Sequence, residues 1–347
     1  MPYTLLALEN PLLDIQANVS DELLQKYKLK SNDAILAGDE HQPLYKELVD
    51  TYKVVYVAGG AAQNTARGAQ YIMPPNSTVY MGAVSNDAYA ETIKNAAEAD
   101  GLKTNYQIIT SAPTGTCAAL ITGHDRSLVT NLGAADLFTF EFVQQPENWK
   151  LVEEASTYYV GGFFLTHDGG YKSATAISEY AAKHNKTFAL NLSAPFLSQF
   201  FKERLDAVIK NTDILCGNED EARTYAQQAG FDETHDVQVI ATKLSLLPKG
   251  NDRPRTVVIT QGSDATVVAV GGELVGTYPV NKVESKDIVD TNGAGDAFCG
   301  GFVGLYAQGV TDLARCVQAG HYVAGLVIKQ VGPTYPQGAA KGTLPTF

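Results

Sequence analysis

Cysteine is scarce in this sequence of 347 residues, and its few thiols are far apart. The four cysteines are Cys117, Cys216, Cys299 and Cys316, and they form no C-x-x-C pair and no Cys/His cluster with zinc-ligand spacing. A disulfide framework or a structural zinc site is therefore not expected. The pattern is typical of a protein in a reducing compartment.

Positive charge is also in short supply. The chain has 26 Lys and Arg residues against 38 Asp and Glu residues, a net charge of −12. The electrostatic field of this net negative charge repels nucleic acid and anionic membrane surfaces, so neither is predicted as a partner. An anionic ligand must therefore be held by a local site.

Long apolar segments and targeting signals are missing too. No stretch reaches the roughly 18 apolar positions of a membrane span, and the first residues lack a basic segment followed by a long apolar one. We expect a cytoplasmic protein, with entry into the nucleus left open. Hydrophobic residues at 45% and charged residues at 18% are ordinary for a globular enzyme.

Short β-branched or apolar segments alternate with segments of helical spacing along most of the chain. This alternation predicts βαβ units around a mainly parallel sheet. The first part is less regular, with strand-like pieces near 12–19, 54–57 and 114–130, and predicts a small β-rich subdomain. The Gly- and Pro-rich end, 332–347, predicts a surface tail. The predicted strands are 3–8, 54–57, 78–84, 116–122, 157–160, 187–192, 213–216, 256–260 and 265–270, and the predicted helices are 88–99, 172–184, 219–228 and 237–247.

The segment DTNGAGDAFCGGF, residues 290–302, places glycines and aspartates at the start of an apolar helix. We predict that a strand ends at 287–290, that residues 292–295 form a tight turn and that 297–307 continue as a helix. Free N–H groups at a helix start, with glycines that allow close approach, are suited to a phosphate. Asp296 would repel that phosphate unless it accepts a proton from an attacking hydroxyl, which favours phosphoryl transfer. The alternative is that Asp296 only complements the helix dipole.

Two other phosphate-binding patterns are absent, namely the G-x-x-x-x-G-K-[ST] loop and the protein-kinase motif set. Asn218 and Glu221 follow a predicted strand at the start of a helix. Their spacing predicts a capping box, which by itself explains both residues.

The 290–302 segment resembles the C-terminal signature of the ribokinase-like (PfkB) family of sugar and nucleoside kinases. Further segments narrow the resemblance to the adenosine kinases of that family and extend it over residues 5–336. It implies a three-layer α/β/α body with a mainly parallel sheet (1–11, 61–112 and 136–347) and a small α/β lid (12–60 and 113–135). The segments that narrow it are ENPLLD (9–14), PTGTCAALITG (113–123), RSLVTNLGAA (126–135), GGFFLT (161–166) and LNLSAPF (190–196), while GGAAQN (59–64) resembles the N-terminal element of the wider family.

The resemblance implies ATP-dependent phosphorylation of the adenosine 5′-hydroxyl to give AMP and ADP, as in purine salvage. Asp296 would be the general base, and Arg126 would close over the transferring group. The backbone of Gly293, Ala294 and Gly295 would hold the developing charge. For Arg126, an ordinary surface salt bridge is the alternative.

The same resemblance implies the binding residues. The nucleoside pocket would contain Asn10, Asp14, Gly59, Gly60 and Asn64, with Asp14 and Asn64 on the ribose hydroxyls, and Leu36, Leu128 and Phe163 around adenine. The ATP side would contain Asn218, Glu221, Thr260, Gly262, Asn292 and His321, with Mg²⁺ held by Asn218 and Glu221 through water.

Several alternatives stay open. The apolar residues and His321 are individually explained by core packing. A monovalent cation is left open as a cofactor, and a monomer is expected because a lid with its own helices can cover its sheet. The competing functions are another sugar or nucleoside kinase on the same scaffold and a non-catalytic nucleoside-binding sensor.

Overall fold

The computed structural model describes residues 3–31, 33–123, 125–232 and 235–336, which form two β-sheets with flanking helices. The strands are β1 (Leu5–Leu8), β2 (Leu12–Asn18), β3 (Ala34–Leu36), β4 (Val55–Gly59), β5 (Thr78–Val84), β6 (Lys103–Ile108), β7 (Thr116–Thr122), β8 (Asp125–Asn131), β9 (Thr157–Gly161), β10 (Thr187–Asn191), β11 (Ile214–Asn218), β12 (Thr256–Gln261), β13 (Asp264–Val270) and β14 (Glu273–Tyr278).

The α-helices connect and cover these strands. They are α1 (Asp21–Lys26), α2 (Gln42–Thr51), α3 (Ala61–Ile72), α4 (Ala88–Ala99), α5 (Phe140–Val143), α6 (Pro146–Glu154), α7 (Asp168–Lys183), α8 (Pro195–Phe200), α9 (Lys202–Ile209), α10 (Glu219–Gln228), α11 (Val237–Ser245), α12 (Ala294–Ala307) and α13 (Leu313–Val327). Among the described residues, no helix is long and apolar enough to cross a membrane.

The central sheet has nine strands in the order β14-β13-β12-β11-β10-β9-β1-β5-β6. The strands from β12 to β6 in that order are parallel, whereas the pairs β12–β13 and β13–β14 are antiparallel. One apolar core, which includes residues of α7, α10 and α11, covers one face, and a second, from α3, α12 and α13, covers the other. This is the predicted three-layer body.

The smaller sheet has five strands in the order β3-β8-β7-β2-β4 and mixes parallel and antiparallel pairs. Alternate residues of β2 point to opposite faces. Ile15 and Ala17 join an apolar cluster with α1 and α2, whereas Asp14 and Gln16 face the body. This sheet is therefore a lid, with one face covered by its own helices and the other turned to the body.

The segment before α12 differs from prediction. Residues 285–287 form a 3₁₀ turn instead of a strand, and the N–H groups of Val289 and Asp290 both donate to Ile328 O, at 2.9 and 3.2 Å. The prediction of a strand at 287–290 was wrong because this segment packs against the end of α13 and not beside a strand. The helix also begins earlier than predicted, at Ala294.

The end of the described chain is more than a surface tail. Tyr335 is buried, and its hydroxyl donates a 2.7 Å hydrogen bond to Asn64 O. Residues 337–347, the rest of the predicted tail, lie outside the described residues.

Helix α12 is clamped between α3 and α13, and glycines allow this close packing. A Cβ on Gly300 would stand 2.6 Å from Thr65 O, and one on Gly304 would stand 2.9 Å from the Cα of Ala69, both on α3. On the α13 side, a Cβ on Gly301 would stand 2.4 Å from Ala319 O. These contacts involve backbone atoms that have no room to move, so the glycines set the position of α12.

We predict that Gly300→Ala destabilises the protein by about 1–3 kcal/mol, because the added methyl group forces α12 away from α3. The measurement is chemical denaturation of the purified variant. Gly325→Ala is the matched control: Gly325 lies within α13, and its Cβ would meet nothing within 4 Å. It should be neutral or gain up to about 1 kcal/mol from helix propensity. Equal stability of the two variants would contradict this packing constraint.

Candidate active site

A cavity of about 460 Å³ lies between the lid sheet and the carboxyl ends of the central parallel strands. In α/β sheets this edge is where ligands bind. Most residues predicted for the site meet here. They are Asn10, Asp14, Gly60, Asn64, Arg126, Leu128, Phe163, Asn218, Asn292, Gly293, Ala294, Gly295 and Asp296.

The remaining predicted residues are distributed around this cavity. Glu221 and Thr260 line a second cavity of about 100 Å³ that shares Asn218, Gly295 and Asp296 with the first. Gly59 ends β4 behind Asp14, and Leu36 ends β3 next to the lining residue Ile35.

Two predicted residues lie away from both cavity walls. Gly262 follows the end of β12 in an exposed turn with φ of +57°. His321 lies on α13, where Nε2 is 2.9 Å from Thr266 Oγ1 and the ring packs 5.4 Å from that of Phe298. The structure thus places His321 in the packing arrangement that was the alternative for it.

The start of α12 presents free backbone donors to the cavity. Gly293 is the N-cap residue in the left-handed conformation, with φ of 73°, and its lack of a side chain leaves the helix without a side-chain cap. The first N–H groups of an α-helix have no acceptor within the helix. At Gly295, a Cβ would meet nothing within 4 Å, so the space beside this helix start is open. The arrangement is suited to an anion.

Asp296 lies in the first turn of the same helix and is held from α3. Asn64 Nδ2 donates to Asp296 Oδ2 at 3.0 Å. Burial raises the pKa of Asp296 to about 6, and the hydrogen bond from Asn64 opposes the rise. At neutral pH the carboxylate is therefore mainly ionised, and its pKa lies close to the pH of the solution, as suits a general base.

Asp14 is a second buried carboxyl group in the cavity wall. Burial raises its pKa to about 7, while the charge of Arg126 and a 3.5 Å hydrogen bond from Asn292 Nδ2 oppose the rise. A Cβ on Gly59 would stand 2.4 Å from Asp14 Oδ1. Glycine at position 59 thus leaves the room that the carboxylate occupies.

Arg126 connects the lid to the segment before α12. Its Nη2 lies 2.7 Å from Asp290 Oδ1, and both side chains are largely buried, so this is not the surface salt bridge considered as its alternative. Asp290 also accepts hydrogen bonds from Gln16 Nε2 at 3.3 Å and from Gly332 N at 2.8 Å. Arg126 Nη1 is buried without a partner among the described residues. Arg126 therefore has a donor left for a ligand in the cavity it lines.

The predicted capping box at the start of α10 is confirmed. Asn218 N and Nδ2 donate to the two carboxylate oxygens of Glu221, each at 2.9 Å, and Asn218 Oδ1 accepts from Glu221 N. Burial raises the pKa of Glu221 to about 7. Each carboxylate oxygen accepts one of these bonds and keeps a second lone pair, and Glu221 lines the second cavity.

Glu9, directly after β1, is a buried acidic residue of the site that was not predicted from sequence. Glu9 is 2% exposed, and its Oε2 accepts a 2.7 Å hydrogen bond from Ala62 N in the first turn of α3. The N-cap residue of α3 is Gly60, which has no side chain to cap the helix, so Glu9 caps it from another strand. Burial raises the pKa of Glu9 to about 8, and the charge of Asp296 adds to the rise. An acidic residue directly after an apolar strand was the signal available in the sequence.

His167 was missed as well, and it orients Asn10. Its Nδ1 accepts from Gly170 N at 3.1 Å, so the neutral ring carries its proton on Nε2. That Nε2–H donates to Asn10 Oδ1 at 3.1 Å, which directs the amide nitrogen of Asn10 toward Phe163 O. Burial lowers the pKa of His167 to about 4, so the ring remains neutral at physiological pH.

Comparison with known proteins gives consistent matches over nearly the whole chain. Residues 21–339 match the family model described as pfkB family carbohydrate kinase. The chain is 47% identical over 335 residues to "Adenosine kinase 2" of Arabidopsis thaliana and 47% identical over 337 residues to the adenosine kinase of Schizosaccharomyces pombe, with 96% of each chain covered in both cases.

Solved structures agree. The Anopheles gambiae adenosine kinase in complex with P1,P4-di(adenosine-5) tetraphosphate superposes with a TM-score of 0.92 at 39% identity, covering 96% of this chain and 99% of the other. The Schistosoma mansoni adenosine kinase in complex with adenosine and AMP has a TM-score of 0.88 at 34% identity, covering 97% and 98%.

We predict that comparing Glu9→Gln with Glu9→Ala separates two effects of Glu9 on stability, namely its hydrogen bond to Ala62 N and its ionisation. Gln keeps an acceptor for Ala62 N, whereas Ala removes it, so Ala should cost about 0.5–2 kcal/mol more. Because the folded pKa of Glu9 is raised from 4.5 to about 8, its contribution to stability is full below pH 4.5 and is lost as pH rises toward 8. The stability of Glu9→Gln relative to the unmodified protein should therefore increase from pH 5 to pH 8, as followed by thermal denaturation. A difference independent of pH would contradict a neutral Glu9.

Proposed function

This chain belongs to the pfkB family of carbohydrate kinases, and we propose that within it the chain is an adenosine kinase, which transfers a phosphoryl group from ATP to the 5′-hydroxyl of adenosine to give AMP and ADP. The relatives named above support the substrate. The observation that carries the chemistry is the position of the Asp296 carboxylate in the same helix turn as the free N–H groups at the start of α12. The proposed domain boundaries are a lid of residues 12–60 and 113–135 on a body formed by the rest.

Adenosine would occupy the larger cavity, between lid and body. Asp14 has carboxylate oxygens for two neighbouring ribose hydroxyls, and Asn64 offers an amide that both donates and accepts. Asn10, held by His167, and the backbone at Gly59 and Gly60 complete the sugar side. Leu128 and Phe163 line the cavity as apolar walls for adenine, with Leu36 next to them.

Asp296 accepts the proton of the 5′-hydroxyl while that oxygen attacks the terminal phosphorus of ATP and the bond to ADP breaks. The backbone donors from Asn292 to Gly295 hold the charge on the transferring group, and no reorganisation is needed because the helix fixes them. Lid closure brings Arg126 to the same phosphoryl group, where its fork of donors binds oxygen atoms. It also excludes water, which would compete as acceptor.

ATP phosphates would extend into the smaller cavity, and Mg²⁺ fits there. Glu221 offers carboxylate oxygens with free lone pairs, and Mg²⁺ bound beside a single carboxylate keeps several waters. Asn218 and Glu221 would hold the ion through such waters, and the ion would supply neutralisation of phosphate charge. We also propose four residues for the ATP side of the site, namely Thr260, Gly262, Asn292 and His321.

A monovalent cation is retained as a candidate cofactor, without an assigned residue. Localisation in the cytoplasm, with nuclear entry left open, and a monomeric state also belong to the proposal. The cover of α1 and α2 over one lid face supports the monomer.

The test is phosphoryl transfer from ATP labelled in the terminal phosphate to adenosine, guanosine, inosine and ribose. Adenosine should be the preferred acceptor.

Asp296→Asn should still bind adenosine but lose turnover by about 10²–10⁴-fold, because the base is removed. In the unmodified enzyme, kcat/KM should fall as pH drops below about 6, where Asp296 becomes protonated. Turnover of ribose with none of adenosine would overturn the substrate, and full turnover by Asp296→Asn would overturn the base.

We predict that Gly295→Ala lowers kcat by about 10²–10³-fold, because its methyl group fills the space in which the transferring phosphoryl group contacts backbone donors. Its folding should be unaffected or slightly stabilised, since nothing lies within 4 Å of the new Cβ. Gly325→Ala introduces the same methyl group at an open helical position on α13 and should leave kcat unchanged. Full activity of Gly295→Ala would contradict a phosphate site at this helix start.

A further inference from the structure

Two of the four cysteines lie together at the wall of the smaller cavity. Cys216 is on β11 and Cys299 is on α12, one turn after Asp296. Both line the 100 Å³ cavity together with Glu221 and Thr260. The proposed reaction uses neither thiol.

The two thiols interact, and Asn191 lies beside both of them. A hydrogen bond with Cys216, followed by burial, raises the pKa of Cys299 above its usual range. Asn191 Nδ2 lies 3.5 Å from Cys299 Sγ, and Asn191 is the residue paired with Cys216 across β10 and β11. The relative exposures of Cys216 and Cys299 are 1% and 4%, so the surrounding strands and helix hold the pair in place.

The pair has the donors for one kind of metal ion. Among residues 3–31, 33–123, 125–232 and 235–336, no group of three or more His, Cys, Asp and Glu side chains is placed to hold a metal. Zinc in proteins almost always takes four ligands, and oxygen-preferring ions avoid thiols. The candidates that remain for this pair are thiophilic ions that bind two sulfur ligands in a linear geometry. A divalent ion of this class with two thiolates is neutral, which suits a wall that already contains Asp296 and Glu221.

We propose that Cys216 and Cys299 form a two-thiol site for a thiophilic, two-coordinate divalent metal ion of the class of Hg²⁺, and that its occupation blocks phosphoryl transfer. Binding breaks two S–H bonds and forms two S–metal bonds. The two protons go to the solvent, and the oxidation state of the metal does not change. Only the inhibition rests on the proposed function, because metal binding is measured without turnover.

Inhibition follows from the position of the pair. The metal would occupy part of the small cavity assigned to the ATP phosphates. It would also tie α12, one turn beyond Asp296, to β11. ATP and the metal should therefore compete, and bound ATP should slow the reaction with metal.

The test uses Hg²⁺ as the probe and two double variants that divide the cysteines. Cys117→Ala/Cys316→Ala keeps only the pair, and Cys216→Ala/Cys299→Ala keeps only the other two thiols. The first should bind one Hg²⁺ per chain, seen as sulfur-to-mercury absorption in the ultraviolet, and lose activity in proportion. The second should keep its own metal-free activity at the same Hg²⁺ concentration. Excess dithiothreitol should restore the first variant.

Single variants test whether both sulfurs act together. Cys216→Ala or Cys299→Ala, each made in the Cys117→Ala/Cys316→Ala background, should bind Hg²⁺ about 10²- to 10⁴-fold more weakly, because two-point attachment is lost. Unchanged affinity in either one, or equal inhibition of the two double variants, would overturn the site. Binding of one Hg²⁺ at the pair with full activity would overturn the blocking role alone. Absence of adenosine phosphorylation before metal is added would instead count against the proposed function.

For variants that fail to fold, anomalous diffraction from crystals of the unmodified protein soaked in Hg²⁺ gives an independent answer. A mercury peak between the sulfurs of Cys216 and Cys299 supports the site. Mercury found only at Cys117 or Cys316 overturns it.

Discussion

The close packing of α12 against α3 is the constraint on which the site depends. Gly300 and Gly304 bring the two helices within backbone contact, and the starts of both helices then face the same cavity. The 3.0 Å hydrogen bond from Asn64 to Asp296 joins these two starts. A shift of α12 would move a carboxylate and a set of N–H donors together, so the geometry of the proposed base and the proposed phosphate site is set by one helix contact.

Electrostatics explains why the lid contributes a cation. Glu9, Asp14 and Asp296 are buried in or beside the cavity of an acidic protein, and burial raises the pKa of all three. The helix start supplies partial positive charge, and Arg126 supplies the full charge from β8 of the lid. In this structure Arg126 is paired with Asp290, which is itself held by Gly332 and Gln16. If the Arg126 side chain moves from Asp290 to a phosphate, one buried ion pair replaces another. Lid closure would then be coupled to the binding of ATP.

Much of the fold could be predicted from sequence because most central strands are buried on both faces and form short, continuous apolar segments. All nine predicted strands are present, and β2 and β8 match the strand-like pieces predicted near 12–19 and 114–130, whereas β3, β6 and β14 were not predicted. β3 has three residues, and β6 and β14 lie at the edges of the central sheet with exposed or polar residues that weaken the pattern. The glycine turn before α12 was predictable because a helix start with glycines is a local feature. The capping by Glu9 and the orientation of Asn10 by His167 were not, because those contacts cross 53 and 157 residues of chain.

In the proposed reaction, Asp296 accepts the proton of the 5′-oxygen, and the start of α12 binds the phosphoryl group that this oxygen attacks. A crystal structure with adenosine and a non-hydrolysable ATP analogue measures this directly. We expect the adenosine 5′-oxygen within hydrogen-bond distance of the Asp296 carboxylate, with the terminal phosphate of the analogue on the backbone N–H groups of Gly295 and its neighbours. A nucleoside bound with its 5′-oxygen far from Asp296, or a terminal phosphate away from this helix start, would contradict it.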